Sequence, residues 1–443
     1  MPTTSPQTGQ SNESTRSGKI NIFGLTGTPL AAVLTGWFFV VFDGYDLIVY
    51  GTVQSRLMEE WNLNPAQAGT VGSTAFLGMM IGAVAMGRIS DALGRKTAIL
   101  GSVLILSIFT VACGLAPNPI FFGAFRFIAG IGLGGLVPSV NAMVADLAPA
   151  RYRAIWATWM MSGIPIGGSI AAIVGIFVVP THPDWGWRAM FLFAVIPLAV
   201  GIPIALKVIP ANKREKIKEI TLEERIKPGF GALLGPTYRT ATLLFSFTTV
   251  VTLLAWYGLG TWLPRLMQQS GYDLGAALIF TLVLNLGAVI GSFITGWAGD
   301  TFGPLRAGVI AATLASVSLF ALLAQPPVAA VYVILVLAGV GTHGTQILII
   351  AAISTYYLSD LRGTALGFAL GFGRIGAVAA PQIAGSLLAL NWSSPTAAVA
   401  SNYILFASAA GMSALLLLTL ALRRHKKSAG TATLPAQPEK QSV

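Results

Sequence analysis

The sequence predicts an all-α membrane protein of twelve transmembrane helices, arranged as two pseudo-symmetric six-helix bundles. Three observations carry this. Charged residues make up 10% of the 443 positions and hydrophobic ones 54%, with a mean hydropathy of +0.74. That is too little charge to cover a water-facing globule, so the solvent is lipid. Long unbroken apolar stretches such as Ala98 to Leu115 are helical spans rather than alternating barrel strands, because a segment in hydrocarbon must satisfy its own backbone hydrogen bonds. One loop pattern also recurs in both halves of the chain.

The stretch 1–27 is polar, rich in Ser and Thr and without an apolar core, so it reads as an unstructured cytoplasmic segment rather than a cleavable signal. Runs of about 20 apolar residues, the length that crosses a bilayer, follow at 28–51, 68–87, 97–115, 118–142, 154–179 and 188–209. These form a first bundle, 28–209. The basic stretch 210–238 reads as a linker. A second set lies at 239–263, 276–297, 307–324, 328–351, 363–389 and 398–422, the bundle 239–422, before a polar tail at 423–443.

With both termini inside, the cytoplasmic segments hold 22 Lys and Arg against three outside (Arg56, Arg188 and Arg265), leaving Arg126 and Arg374 within spans. The positive-inside rule therefore fixes the orientation in a cell membrane. It also accounts for the net charge of +11 without a nucleic-acid partner. The single cysteine, Cys113, excludes an internal disulfide, and no Cys/His cluster proposes a metal or other cofactor.

The repeat is explicit. Gly87-Arg88-Ile89-Ser90-Asp91-Ala92-Leu93-Gly94 is echoed by Gly296-Trp297-Ala298-Gly299-Asp300-Thr301-Phe302-Gly303, both reading G-x-x-x-D-x-x-G, at an offset of 209 residues that also carries Arg153 onto Arg362. A duplicated six-helix unit with a site between its halves is a common transporter plan. The first copy, continued by Arg95-Lys96, resembles the signature loop of the major facilitator superfamily, with Ala92 where that family usually has Arg. The resemblance implies gate roles for Asp91 and Arg95, for Asp300 in the second copy, and for Asp146 at the end of the fourth span, where relatives often carry Glu.

Asp43-Gly44-Tyr45-Asp46 in the first span, followed by Leu47, Tyr50 and Gly51, is similar to the aromatic acid:proton symporters of that superfamily. Gly371-Phe372-Gly373-Arg374-Ile375-Gly376 with Ala380-Pro381 in span eleven points the same way. This branch imports benzoate-type and hydroxybenzoate-type acids, so the resemblance implies an aromatic carboxylate and protons as the partners.

The buried charges fit that expectation. A carboxylate in hydrocarbon costs about 2.5–3.5 kcal/mol even on the lenient insertion scale. A spacing of three puts Asp43 and Asp46 on one helical face, and two close carboxylates in low dielectric resist ionising together. Asp43 and Arg126 each lie eight residues from the outer end of their spans, roughly 12 Å deep, so an Asp43–Arg126 pair sensitive to protonation is expected. Arg374 lies near the midplane, where a guanidinium holds a substrate carboxylate through two parallel hydrogen bonds. The second half has no acidic residue within a span, which favours an incoming anion as its partner.

His343 reads equally as a proton-passing ligand or as a packing residue among Gly339, Gly341 and Gly344. Asn285 and Gln346 are candidates to bond substrate oxygens, and Tyr45 and Trp256 to stack on its ring, although aromatic residues also serve as packing or interfacial anchors, as expected of Trp185 and Trp187. The protein is expected to work as a monomer in lipid. The rival is proton-driven efflux, but Gly163-Ile164-Pro165-Ile166-Gly167-Gly168 matches the drug-antiporter motif of span five only partly. An enzyme would need a nucleophile with its base or a metal set, and three histidines with one cysteine offer neither.

Overall fold

The computed structural model describes residues 21–211 and 230–432. Twelve helices are long and apolar enough to cross a membrane: α1 (Gly27–Glu60), α2 (Pro65–Ser90), α3 (Arg95–Gly114), α4 (Pro119–Leu147), α5 (Ile155–Val178), α6 (Gly186–Val208), α7 (Arg239–Gln269), α8 (Leu274–Phe302), α9 (Pro304–Ala324), α10 (Val328–Tyr356), α11 (Leu361–Leu388) and α12 (Pro395–Arg423). The expected spans are all present, and several helices run past them. The apolar run expected to end at 51 continues as helix α1 to Glu60. Hydropathy marks only what lies in hydrocarbon, whereas helical hydrogen bonding continues until a cap stops it.

Caps set the starts. The Asn64 side chain accepts from Gln67 N while Gln67 reaches back to Asn64 N, with Pro65 opening α2. Asn118 accepts from the amides of Ile120 and Phe121 at 3.1 Å ahead of α4. The last glycine of each repeat copy, Gly94 and Gly303, has φ of 93° and 85°. Each ends one helix and begins the next. Only glycine adopts that backbone without steric cost, which explains its place in the motif.

Two expectations change. Within 1–27, Asn21–Ile22 pairs antiparallel with Leu25–Thr26 around Phe23 and Gly24, whose φ of 45° and 77° suit a tight hairpin turn. The Phe23 ring lies 6.0 Å from both Tyr152 and Trp156, seating this hairpin on the start of α5. The expected interfacial anchor Trp187 is instead buried. Its indole donates to Glu60, and the Arg188 guanidinium sits 4.3 Å from its ring. Helix α6 is irregular, with a π-helical turn at Pro197–Gly201 between Gly186–Leu192 and Ile202–Val208. Pro197 and Pro203 remove the amide donors a continuous α-helix needs.

The helices form two six-helix bundles. In the first, α1 packs on α5, and α2 and α3 on α4; in the second, α7 packs on α11, α8 on α10 and α9 on α12. The bundles meet along α2–α11, α5–α8 and α1–α7. At the end carrying the α1–α2 and α7–α8 connections this contact is backbone-close. A Cβ on Gly51 would lie 2.3 Å from the Gly260 carbonyl oxygen, and one on Gly69 would lie 2.4 Å from that of Pro381. Neutral hydrogen bonds cross the same end: Ser55 to Gln268, Thr70 to Gln382 at 2.7 Å, and Ser73 to the Val378 carbonyl at 2.7 Å. At the basic end, Gly87 of α2 and Gly363, Gly367 and Gly371 of α11 have nothing among the described residues within 4 Å of an added Cβ. Helices α2 and α11 therefore diverge from a closed end toward an open, basic one.

Candidate functional site

Helix α1 carries both aspartates at the centre of the molecule, and its approach to α5 fixes where they point. A Cβ on Gly44 would lie 2.0 Å from the Ile164 carbonyl oxygen, and one on Gly167 would lie 1.8 Å from that of Val41. The glycine between the aspartates is thus required by helix contact, not by conformation. With α1 pressed on α5 there, the two carboxylates take different surroundings.

Asp46 is the ion-paired one. Arg126 of α4 donates from Nη1 to Asp46 Oδ2 at 2.6 Å and from Nη2 to the Asp46 carbonyl at 3.3 Å. Thr110 of α3 donates to Oδ1 at 2.6 Å. All three side chains are buried, so a charge-assisted network ties α1, α3 and α4 inside one bundle. The expected Asp43–Arg126 pair is corrected to Asp46–Arg126. Equal depth does not fix azimuth, and the two aspartates, though on one face, differ by about 60° around the helix. Thr110 was not anticipated; a hydroxyl in an apolar span usually bonds its own helix, and nothing in the sequence sets this one apart.

Asp43 is 1% exposed, and neither of its oxygens has a hydrogen-bond partner among the described residues. The cation whose field reaches it is Arg374 of α11, from the other bundle. Arg374 is half-buried and donates from Nη1 to the Tyr257 hydroxyl of α7 at 3.3 Å, and Tyr257 packs on Phe76 of α2 with ring centroids 4.7 Å apart. The absence of acids in the second half's spans had left Arg374 without a protein counter-ion. Among the described residues it makes no direct ion pair, and the fold adds the field of Asp43 from the first half.

Trp256, next to Tyr257 on α7, faces α10, its ring 5.1 Å from that of His343. His343 is 3% and Gln346 9% exposed. The Tyr45 hydroxyl donates to the Met190 carbonyl of α6 at 2.7 Å, and its ring packs on Phe42 and Phe193. Its hydroxyl is therefore engaged within the first bundle. Asn285 donates to the Thr281 carbonyl at 2.9 Å and faces Gly168, where an added Cβ would lie 2.3 Å from its Oδ1. It belongs to the α5–α8 seam.

Among the gate residues, Arg95 pairs with Asp146 and donates to the Ala142 carbonyl, joining the start of α3 to the end of α4. The Asp91 side chain lies outside the described residues. Asp300 is exposed and has no ion pair among the described residues. The closed end is held instead by Ser55, Gln268, Thr70 and Gln382, polar residues that the sequence did not distinguish from ordinary helix-end residues.

The family model described as Major Facilitator Superfamily matches residues 36–289 and 276–441. The chain belongs to the Major Facilitator Superfamily. It is accordingly a multi-pass membrane transporter and not an enzyme. Among curated relatives, it is 63% identical to a gentisate transporter of Corynebacterium glutamicum, over 94% of this chain and 93% of that one. It is 34% identical to a benzoate transport protein of Acinetobacter baylyi, over 79% and 82%, and 29% identical to a 4-hydroxybenzoate transporter of the same organism, over 80% and 84%. Within the superfamily it thus groups with aromatic acid transporters. The crystal structure of a D-xylose–proton symporter aligns with a TM-score of 0.76 at 18% identity, covering 88% of this chain and 97% of that one. A partially occluded inward-open xylose transporter from E. coli aligns with 0.72 at 16% identity, covering 88% and 97%. At such identities these two establish the fold alone.

The superfamily fold gives the site its meaning. Asp43 on α1 and Arg374 on α11 belong to different bundles, so any ligand or proton that changes their interaction acts on the contact between the bundles. Asp46, Arg126 and Thr110 lie in one bundle.

Proposed function

We propose that this protein imports an aromatic carboxylate of the dihydroxybenzoate class, as gentisate is, driven by inward proton movement through alternating access. The observation that carries the reading is the buried Asp43 carboxylate, without a hydrogen-bond partner among the described residues and within the field of Arg374 across the bundle interface. A carboxylate substrate at Arg374 competes with Asp43 for one cation. Protonation of Asp43 removes that competition, so substrate and proton bind together, and loss of both restores the Asp43–Arg374 attraction. Arg374 suits the role because its planar fork takes a carboxylate bidentately. Trp256 and Tyr257 add flat apolar surface next to it.

The excess of Lys and Arg in the segments joining α2–α3, α4–α5, α8–α9 and α10–α11 supports a cytoplasmic basic end and cytoplasmic termini. In that orientation the open end faces the cytoplasm, the side on which imported substrate leaves. Uptake of labelled gentisate, 4-hydroxybenzoate and benzoate into proteoliposomes, with and without an imposed pH gradient, tests the reading. Gradient-dependent accumulation of at least one acid is expected. Accumulation indifferent to a protonophore would end the coupling claim, and no uptake of any acid would end the substrate class. Asp43→Asn should still exchange substrate across the membrane but should not concentrate it.

A further inference from the structure

We propose that His343 and Gln346 of α10 form a hydroxyl-reading pole of the substrate site, selecting ring-hydroxylated aromatic acids over the bare benzoate ring; this rests on the aromatic carboxylate reading above. The middle of α10 carries four polar side chains within five residues, Thr342, His343, Thr345 and Gln346, and the hydroxyls among them are already used. Thr342 donates to the Ala338 carbonyl at 2.7 Å and Thr345 to that of Gly341 at 2.6 Å. His343 Nε2 and Gln346 Oε1 are buried and have no hydrogen-bond partner among the described residues. A spacing of three puts them on one face, about 5–6 Å apart at Cβ.

The rotation of α10 is fixed by its glycines. A Cβ on Gly339 would lie 2.1 Å from the Leu284 carbonyl of α8, one on Gly341 would lie 2.6 Å from the Ala311 carbonyl of α9, and one on Gly344 would lie 2.4 Å from Thr295 of α8. With those faces locked to α8 and α9, His343 is left toward α7 and α5, where it meets the Trp256 ring and the Met161 backbone. The adjacent α7 residue, Tyr257, holds Arg374. Helix α7 therefore places one aromatic ring against the cationic pole and the next against the α10 pole.

The two poles differ in what they accept. An ionised carboxylate carries no donor, so it gains nothing from an unpartnered carbonyl or imidazole nitrogen and belongs at Arg374. A phenolic hydroxyl has the proton these acceptors lack. A neutral imidazole that donates from one nitrogen to a backbone carbonyl presents the other as an acceptor. Bare benzoate would leave both buried groups unpaired, the situation that gives polar sites their strongest discrimination.

The test is competition for uptake by gentisate and by benzoate in proteoliposomes of the wild type, Gln346→Leu, His343→Phe and the acceptor-retaining His343→Gln. The ratio of apparent affinities, gentisate over benzoate, is expected to fall at least about tenfold in the first two variants and to be largely kept in His343→Gln. An unchanged ratio, or loss of both acids by the same factor, would overturn the proposal and leave these residues a packing role. A His343→Gln ratio as low as that of His343→Phe would also overturn it. Failure of the wild type to carry either acid would instead overturn the functional reading on which the proposal rests.

Discussion

The Asp46–Arg126–Thr110 network makes a quantitative prediction that separates the two aspartates. Asp46→Asn removes the charge that Arg126 meets at 2.6 Å and weakens the acceptor of the Thr110 hydroxyl at 2.6 Å, leaving a guanidinium that is 1% exposed. An uncompensated buried charge of this kind costs about 3–5 kcal/mol, far more than the roughly 0–1 kcal/mol of an exposed pair. Arg126→Met should cost a similar amount, because it strands the carboxylate. The double variant Asp46→Leu/Arg126→Met should recover most of the loss, since two packed apolar side chains replace a pair whose desolvation nearly cancels its attraction. The assay is a double-mutant cycle of unfolding free energies for Asp46→Leu, Arg126→Met and the double variant, measured on the purified protein in detergent by tryptophan fluorescence, with a coupling energy of several kcal/mol expected. Asp43→Asn is the control: its carboxylate has no hydrogen-bond partner among the described residues to lose, so stability should not fall while gradient-driven accumulation is lost. Additive effects of Asp46 and Arg126, or an Asp43→Asn variant as unstable as Asp46→Asn, would refute the division between a structural and a functional aspartate.

Three further outcomes follow from the packing. Gly44→Ala drives a methyl to within 2.0 Å of the Ile164 carbonyl and should destabilise by about 1–3 kcal/mol or more, lowering the melting temperature and uptake with both aspartates intact; wild-type stability would contradict the α1–α5 contact. Gly363→Leu enters open space at the basic end, so stability should hold. The α2–α11 register that sets Gly69 against Pro381 would bring Gly363 opposite Gly87 when that end closes, so turnover should fall severalfold, and an unchanged turnover would refute closure along this seam. Arg374→Lys keeps the charge but loses the planar fork, so the apparent KM for the aromatic acid should rise at least about tenfold; unaltered concentration dependence would remove Arg374 from the binding site.

Much of the site was legible because the bilayer makes exceptions conspicuous. Asp43, Asp46, Arg126 and Arg374 are ionisable residues in apolar runs, where each needs a reason, and each is wholly or partly buried in the fold. The partnerships were not legible. Asp43 and Asp46 share a helix and nearly a depth, yet one meets Arg126 and Thr110 while the other faces Arg374. Tyr45 lies inside the same motif, but its hydroxyl is spent on Met190. Azimuth around a helix, and which neighbour fills each azimuth, depend on contacts between segments far apart in the chain.

The sequence alone determined the solvent, the number of spans, the duplication and the identity of the buried charges, because hydrophobic length, charge placement and repeat offset are properties of the chain read locally. The tertiary structure alone decided which aspartate is paired, which cation Asp43 faces, and which end of the bundle interface is closed. The physical reason lies in glycine contacts such as Gly44 on Ile164 and Gly69 on Pro381. They let helices approach at backbone distance and so fix rotations that no local pattern encodes.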